Sequence, residues 1–178
     1  MAVDRESYDG TWETVAGAQR KVRDHYNKLS IAFRELRAPR RSLNIILRAY
    51  DEGVALRYSL PRQDSLNQFI VSSENTGFYF PQPVSAYALD LGRFDSHYES
   101  EFRRVDLNQI KPASIVGLPL LVQIPRGPWM AILEADLTDY AGMYVPGVPG
   151  ISNALASKLS PLPRKSDEAV IGMEKAGE

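Results

Sequence analysis

The chain has no cysteine in 178 residues. Disulfide cross-links, thiolate zinc sites and cysteine nucleophiles are therefore excluded. Only two histidines are present, His25 and His97, and neither stands in a helical zinc pattern such as H-E-x-x-H. Neither sign of charge is in excess: 21 Lys and Arg against 22 Asp and Glu give a net charge of -1. That balance argues against a nucleic-acid partner, which is held chiefly through its phosphates. No apolar run approaches the roughly 20 residues that cross a bilayer, so no membrane span is expected. The opening stretch from Met1 to Ser7 also lacks the apolar core of a signal peptide. Walker-type loops, G-x-G-x-x-G turns and a G-x-S-x-G elbow are missing as well. No residue qualifies as catalytic on sequence grounds.

What is present is a period of two. Leu43 to Tyr50 and Val54 to Leu60 are apolar-rich runs joined by Asp51-Glu52-Gly53, the pattern of a hairpin. Leu118 to Ile124 and Trp129 to Ala135 flank Pro125-Arg126-Gly127-Pro128 and predict a second hairpin, with Pro119 near the start of its strand. Weaker strand candidates are Asn67 to Ser72, Gly77 to Phe80 and Tyr87 to Leu91. Val22 to Leu36 carries both periods. Val22, Tyr26, Leu29, Phe33 and Leu36 fit a helix, whereas Leu29, Ile31 and Phe33 alternate as a strand able to pair with Leu43 to Tyr50. In a chain otherwise built of strands, the strand is favoured.

From Pro146 onward, prolines and glycines leave little periodicity. A short helix over Ile151 to Leu159 is the most this region predicts. The expected organisation is a partial β-sandwich over residues 1–145 and an irregular tail or linker over 146–178. The fold class expected is all-β: an antiparallel β-sandwich with at least six strands.

Three groups of residues carry chemistry worth weighing. Arg34, Arg37, Arg40 and Arg41 could face a phosphate or an acidic partner, but a solvated hairpin connection explains them more simply. Trp12, Tyr87, Tyr98, Trp129, Tyr140 and Tyr144 could stack on sugar rings, or could fill the core and its rim. Glu134 and Asp136 follow an apolar strand. If that strand continues to Asp136, the two carboxylates share a face about 6–7 Å apart. Carboxylates at a strand end suit a hard cation such as calcium, although six to eight oxygens are needed and these two cannot complete a site. Exposed turn residues are the plainer alternative.

Three blocks in order point further: Arg23 to Leu29, Arg48 to Tyr58, and Glu134 to Met143. Together they resemble the N-terminal domain of glycoside hydrolase family 97, a family of bacterial α-glucosidases and α-galactosidases, over about Trp12 to Tyr144. The resemblance implies a large sandwich of the super-sandwich type that packs on a catalytic (β/α)8 barrel, with the catalytic carboxylates in that barrel. Nothing after Tyr144 has the length or alternation of a barrel. The chain is thus expected to be an internal piece of such an enzyme or a truncated gene product, and inactive alone.

The resemblance also implies that Glu134 supplies one ligand to an active-site calcium whose other ligands come from the barrel. Its substrate would be an α-linked oligosaccharide or glycoside, and the full-length enzyme would be periplasmic or extracellular. Asp136, Asp139, His25 and Asn27 match family positions without an assigned role. Val15 to Gln19 departs from an acidic stretch common in the family. The alternative function is a free-standing carbohydrate-binding β-sandwich without catalysis; a complete enzyme of a new kind has no catalytic constellation to support it.

Overall fold

The computed structural model describes residues 1–161 apart from Asn67 and Asp139. Among them every strand pairing is antiparallel, and the one helical turn is a 3-10 turn at Leu107–Gln109. The all-β expectation holds. The chain forms two units, one of Met1–Ile70 and one that begins at Val71.

The first unit is a meander of four strands, β1 (Ala2–Glu13), β2 (Lys21–Arg34), β3 (Ser42–Ala49) and β4 (Val54–Ser59), in that spatial order. The segment that carried both periods is therefore a strand. Leu29, Ile31 and Phe33 stand opposite Leu47, Ile45 and Leu43, as the alternation predicts. Residues directly opposite share a face. One face thus collects Val3, Leu29, Ile31, Ile45, Leu47, Leu56 and Tyr58. Leu56 and Tyr58 remain 45% and 42% exposed.

The other face is held by polar and aromatic pairs. Lys28 Nζ donates to Glu6 Oε2 at 2.9 Å across the β1–β2 ladder; on the face of the apolar row, toward its polar end, the Arg23 fork meets both carboxylate oxygens of Asp9 at 2.8 Å. Tyr26 is the buried residue of this sheet. It lies 5.3 Å from the rings of both Tyr8 and Tyr50, with the Arg48 guanidinium 4.3 Å from its centroid. Strand β1 was not foreseen, because its sequence is mostly charged and polar. Its pairing rests on partners in β2 rather than on an apolar stripe of its own.

The basic cluster falls at the end of β2 and in the β2–β3 connection. There Arg41 clasps Glu35 at 2.6 Å and Arg34 Nε donates to the Arg40 carbonyl, so the solvated-hairpin reading describes it. The expected strand at Asn67 to Ser72 does not form; Gln68 to Ser72 have no regular structure, and Asn67 lies outside the described residues.

In the second unit, β5 (Gly77–Tyr79), β6 (Ser85–Asp90), β7 (Arg103–Asp106), β8 (Val116–Gln123), β9 (Trp129–Ile132), β10 (Met143–Tyr144), β11 (Ala154–Ala156) and β12 (Lys158–Leu159) follow in sequence. A four-stranded sheet has the order β7-β6-β8-β9, and two ribbons pair β5 with β11 and β10 with β12. Strand β8 begins two residues earlier than predicted, so Pro119 lies inside it. The proline is tolerated because the β6–β8 ladder breaks there, between the pairs Tyr87↔Leu121 and Leu89↔Gly117, and its missing N–H removes no ladder bond.

Ala86, Leu120 and Val122 on the sheet, and Val145 and Leu155 from the ribbon side, are all 0% exposed and belong to one core, with Phe78, Phe80 and Met143 packed against it. The region predicted to be irregular from Pro146 therefore contributes two strands, and the short helix expected over Ile151 to Leu159 is replaced by them. Ladder partners far away in sequence, Gly77–Tyr79 for β11, override a weak local pattern. Residues 162–178, the rest of the expected tail, lie outside the described residues. Gly147 passes so close to residue 110 that a Cβ would overlap the Ile110 carbonyl oxygen, and its N–H donates to the Lys111 carbonyl at 3.2 Å.

Leu155→Ala is expected to cost about 2–5 kcal/mol, the range for deleting a fully buried leucine. Val54→Ala on the exposed β4 strand is expected to cost far less, and urea unfolding of both variants distinguishes them. Acidification probes the first unit. Hydrogen bonds from Lys28, Arg23 and Arg41 hold Glu6, Asp9 and Glu35 below their ordinary values of 4.5, 3.8 and 4.5. Carboxyls lowered on folding add stability that is fully present above those ordinary values and lost as pH falls through the lowered ones. Melting midpoints taken from pH 7 downward should therefore drop only below that range, and by less at high salt, since these pairs are exposed.

Candidate functional site

Strand β9 ends at Ile132, and Leu133, Glu134, Ala135 and Asp136 follow in an exposed loop that leads to β10. Asp136 has φ 59, a left-handed conformation that no continuing strand can contain. The shared strand face for Glu134 and Asp136 is thus not formed. The apolar run Trp129 to Ile132 carries the ladder only as far as Leu120 on β8, and beyond that point the edge strand has no partner residues.

Glu134 instead folds toward the far end of its own loop. Its Oε2 accepts the Met143 backbone N–H at 2.8 Å, and a Cβ placed at Gly142 would stand 3.7 Å from Oε1. A second tie holds the same loop: the Tyr140 hydroxyl donates to Glu74 Oε2 at 3.0 Å. Glu74 also accepts the Thr76 hydroxyl at 2.7 Å, and its carbonyl accepts the buried Ser157 hydroxyl at 2.7 Å. Ser157 in turn accepts the Thr76 N–H at 2.9 Å. The loop is therefore pinned to the ribbon layer by side chains from two distant segments, Glu74–Thr76 and Ser157. Glu74 and Ser157 gave no sequence signal, because each acts through a contact with a residue far along the chain.

Beside this loop, Tyr144 packs edge-on to Phe94 at 5.2 Å, and Lys158 Nζ lies 5.1 Å from the Phe94 ring. Burial, and then the neighbouring Tyr98 and Glu134, push the Tyr144 hydroxyl above its ordinary value, so it stays a neutral hydrogen-bonding group. Of the six aromatics weighed above, Tyr144 is half-buried, while Trp12, Tyr98, Trp129 and Tyr140 are 46–54% exposed and Tyr87 is 37% exposed.

The two histidines do not join Glu134 in a cluster. His25 belongs to the first unit, with Nδ1 3.8 Å from Asp51, and His97 is an exposed loop residue of the second. Asn27 is an exposed β2 residue, and Asp139 lies outside the described residues. Among the described residues no group of three or more His, Asp or Glu could hold a metal by itself. Glu134 offers a single hard oxygen donor on an exposed loop, which fits one position of a larger oxygen set and no more.

The family model described as glycosyl-hydrolase 97 N-terminal matches residues 2–166. The chain belongs to that family. Among curated proteins, a retaining alpha-galactosidase of Bacteroides thetaiotaomicron is 26% identical over 155 residues, which is 82% of this chain and 22% of that protein. Among solved structures, a glycoside hydrolase family 97 enzyme from Pseudoalteromonas sp. strain K8 in complex with acarbose is 24% identical with a TM-score of 0.77, over 89% of this chain and 23% of that one. A beta-arabinopyranosidase is 19% identical with a TM-score of 0.73, over 95% and 28%. These structures share the fold. This family 97 N-terminal chain spans about a fifth to a quarter of the relatives' length.

In this chain the Glu134 contact is local. Glu134→Ala is expected to raise amide exchange at Met143 sharply while lowering global stability by no more than about 1.5 kcal/mol, the range for one hydrogen bond. Hydrogen exchange read residue by residue, beside urea unfolding, checks both halves of that statement.

Proposed function

We propose that this chain is the N-terminal, non-barrel module of an enzyme that hydrolyses α-glycosides. In this reading it packs on a catalytic (β/α)8 barrel and lends Glu134 to a calcium ion near the active site. Family membership supports the glycosidase assignment, and the acarbose-bound relative and the alpha-galactosidase support α-linked sugars as the substrate class. The observation that carries the metal assignment is the Glu134 carboxylate, exposed at the end of β9 and oriented by the Met143 N–H.

The chain's own residues do the positioning. Oε2 engages the Met143 N–H, which fixes the rotamer and leaves Oε1 as the oxygen to be presented to a cation. Tyr140, through Glu74, keeps the loop from swinging away. Calcium bound there would supply positive charge that steadies the substrate and the catalytic carboxylates. Such an enzyme would act in the periplasm or outside the cell.

In the enzyme that contains this chain, Glu134→Ala is expected to weaken calcium binding at least about tenfold, as loss of a supporting metal contact commonly does, and to lower α-glycoside hydrolysis with it. Calorimetric calcium titration and hydrolysis with and without a chelator are the measurements. Calcium affinity and activity both unchanged in the variant would reject the assignment.

A further inference from the structure

The β7-β6-β8-β9 sheet has a second face, turned away from its core. Opposed residues put Arg104, Tyr87, Leu121 and Ala131 in one row across the four strands, and Ser85, Gln123 and Trp129 in the next. Trp129 is 52% exposed, Leu121 39% and Tyr87 37%. The rings of Tyr87 and Trp129 lie 6.0 Å apart and are tilted by 34°. On the same face Arg104 Nη2 donates to Ser85 Oγ at 3.1 Å and to Gln123 Oε1 at 3.2 Å. The Ser85 hydroxyl donates to that same amide oxygen at 3.4 Å.

The combination selects a class of ligand. An aromatic face is electron-rich and attracts the apolar C–H face of a pyranose. The hydroxyls around a sugar ring need both donors and acceptors, and a guanidinium beside a carboxamide supplies both. Arg104 and Gln123 are already ordered by their hydrogen bond to each other and by those each makes with Ser85, so less freedom is lost on binding.

We propose that this face is a calcium-independent binding surface for α-linked oligosaccharides, with sugar rings stacked on Trp129 and Tyr87 and hydroxyls hydrogen-bonded to Arg104 and Gln123. The choice of α-linked sugar rests on the reading of the chain as part of an α-glycoside hydrolase; the platform itself does not use Glu134. Binding here would hold a polymeric substrate against the module.

The test titrates maltotetraose into the 178-residue chain with a chelator present, followed by tryptophan fluorescence and calorimetry. Saturable binding with Kd on the order of 1 mM is expected, weakened at least tenfold by Trp129→Ala and several-fold by Arg104→Ala. Trp129→Phe, which keeps a ring, should retain most of the affinity, and Trp12→Ala should leave it unchanged. No saturation up to tens of millimolar, or equal affinity in a folded Trp129→Ala chain, would overturn the proposal. Equal affinity for cellotetraose would overturn the α-linked assignment. Because Glu134→Ala and calcium do not enter this experiment, its failure is separable from failure of the metal assignment.

Discussion

A β-sheet can bury one face only if something is laid across it, and from Val71 to Pro161 that requirement governs nearly everything else. Ala86, Leu120 and Val122 are sealed because Phe78, Val145 and Leu155 come to lie over them from widely separated parts of the chain. The connections between those parts have little liberty. Residues 133–142 must carry the chain from edge strand β9 back to β10, where the Val145 N–H bonds the Val116 carbonyl at 3.0 Å. The position of Glu134 is a product of that closure. A carboxylate that faces outward at the end of β9 arises because the loop has to leave the ladder there, turn through a left-handed Asp136 and return.

The first unit meets the same problem differently. Its four strands have no ribbon layer of their own, so cohesion comes from neighbours within the sheet: the Glu6–Lys28 and Asp9–Arg23 pairs, and Tyr26 between Tyr8 and Tyr50 under Arg48. Three residues of the Arg23 to Leu29 block make these contacts. Tyr26 is the sheet's buried centre, Arg23 and Lys28 each clasp an acid on β1, and Leu29 starts the apolar row.

Legibility in the sequence followed the range of the interactions. Hairpins β3–β4 and β8–β9 were readable because each brings together residues a few positions apart, with Asp-Glu-Gly or Pro-Arg-Gly-Pro marking the turn. Strand β2 was readable through its alternation once the helix pattern was set aside. Strands β1 and β7 were not, since charged and polar residues dominate them and their partners decide their conformation. Strands β11 and β12 were not, being two or three residues long and paired at a distance. Glu134 was singled out by its place after an apolar run and by resemblance, but the partner geometry that orients it, and the Glu74–Ser157 anchor, depend on contacts that no local pattern encodes. The aromatic platform lay between these cases: Tyr87 and Trp129 were visible as candidates, whereas Arg104 and Gln123 became meaningful only once the register aligned them.

The pairing of Gly77–Tyr79 with Ala154–Ala156 also sets a timetable for synthesis. The first unit is a meander, so each strand can zip onto its predecessor as it leaves the ribosome. The second unit must hold Phe78 and the apolar face of β6 and β8 uncovered until Leu155 has emerged. During that interval a nascent chain exposes its most hydrophobic strands, and long-range β pairing of this kind is slow. Production of this region is therefore expected to depend more on translation speed and chaperone supply than that of the first unit.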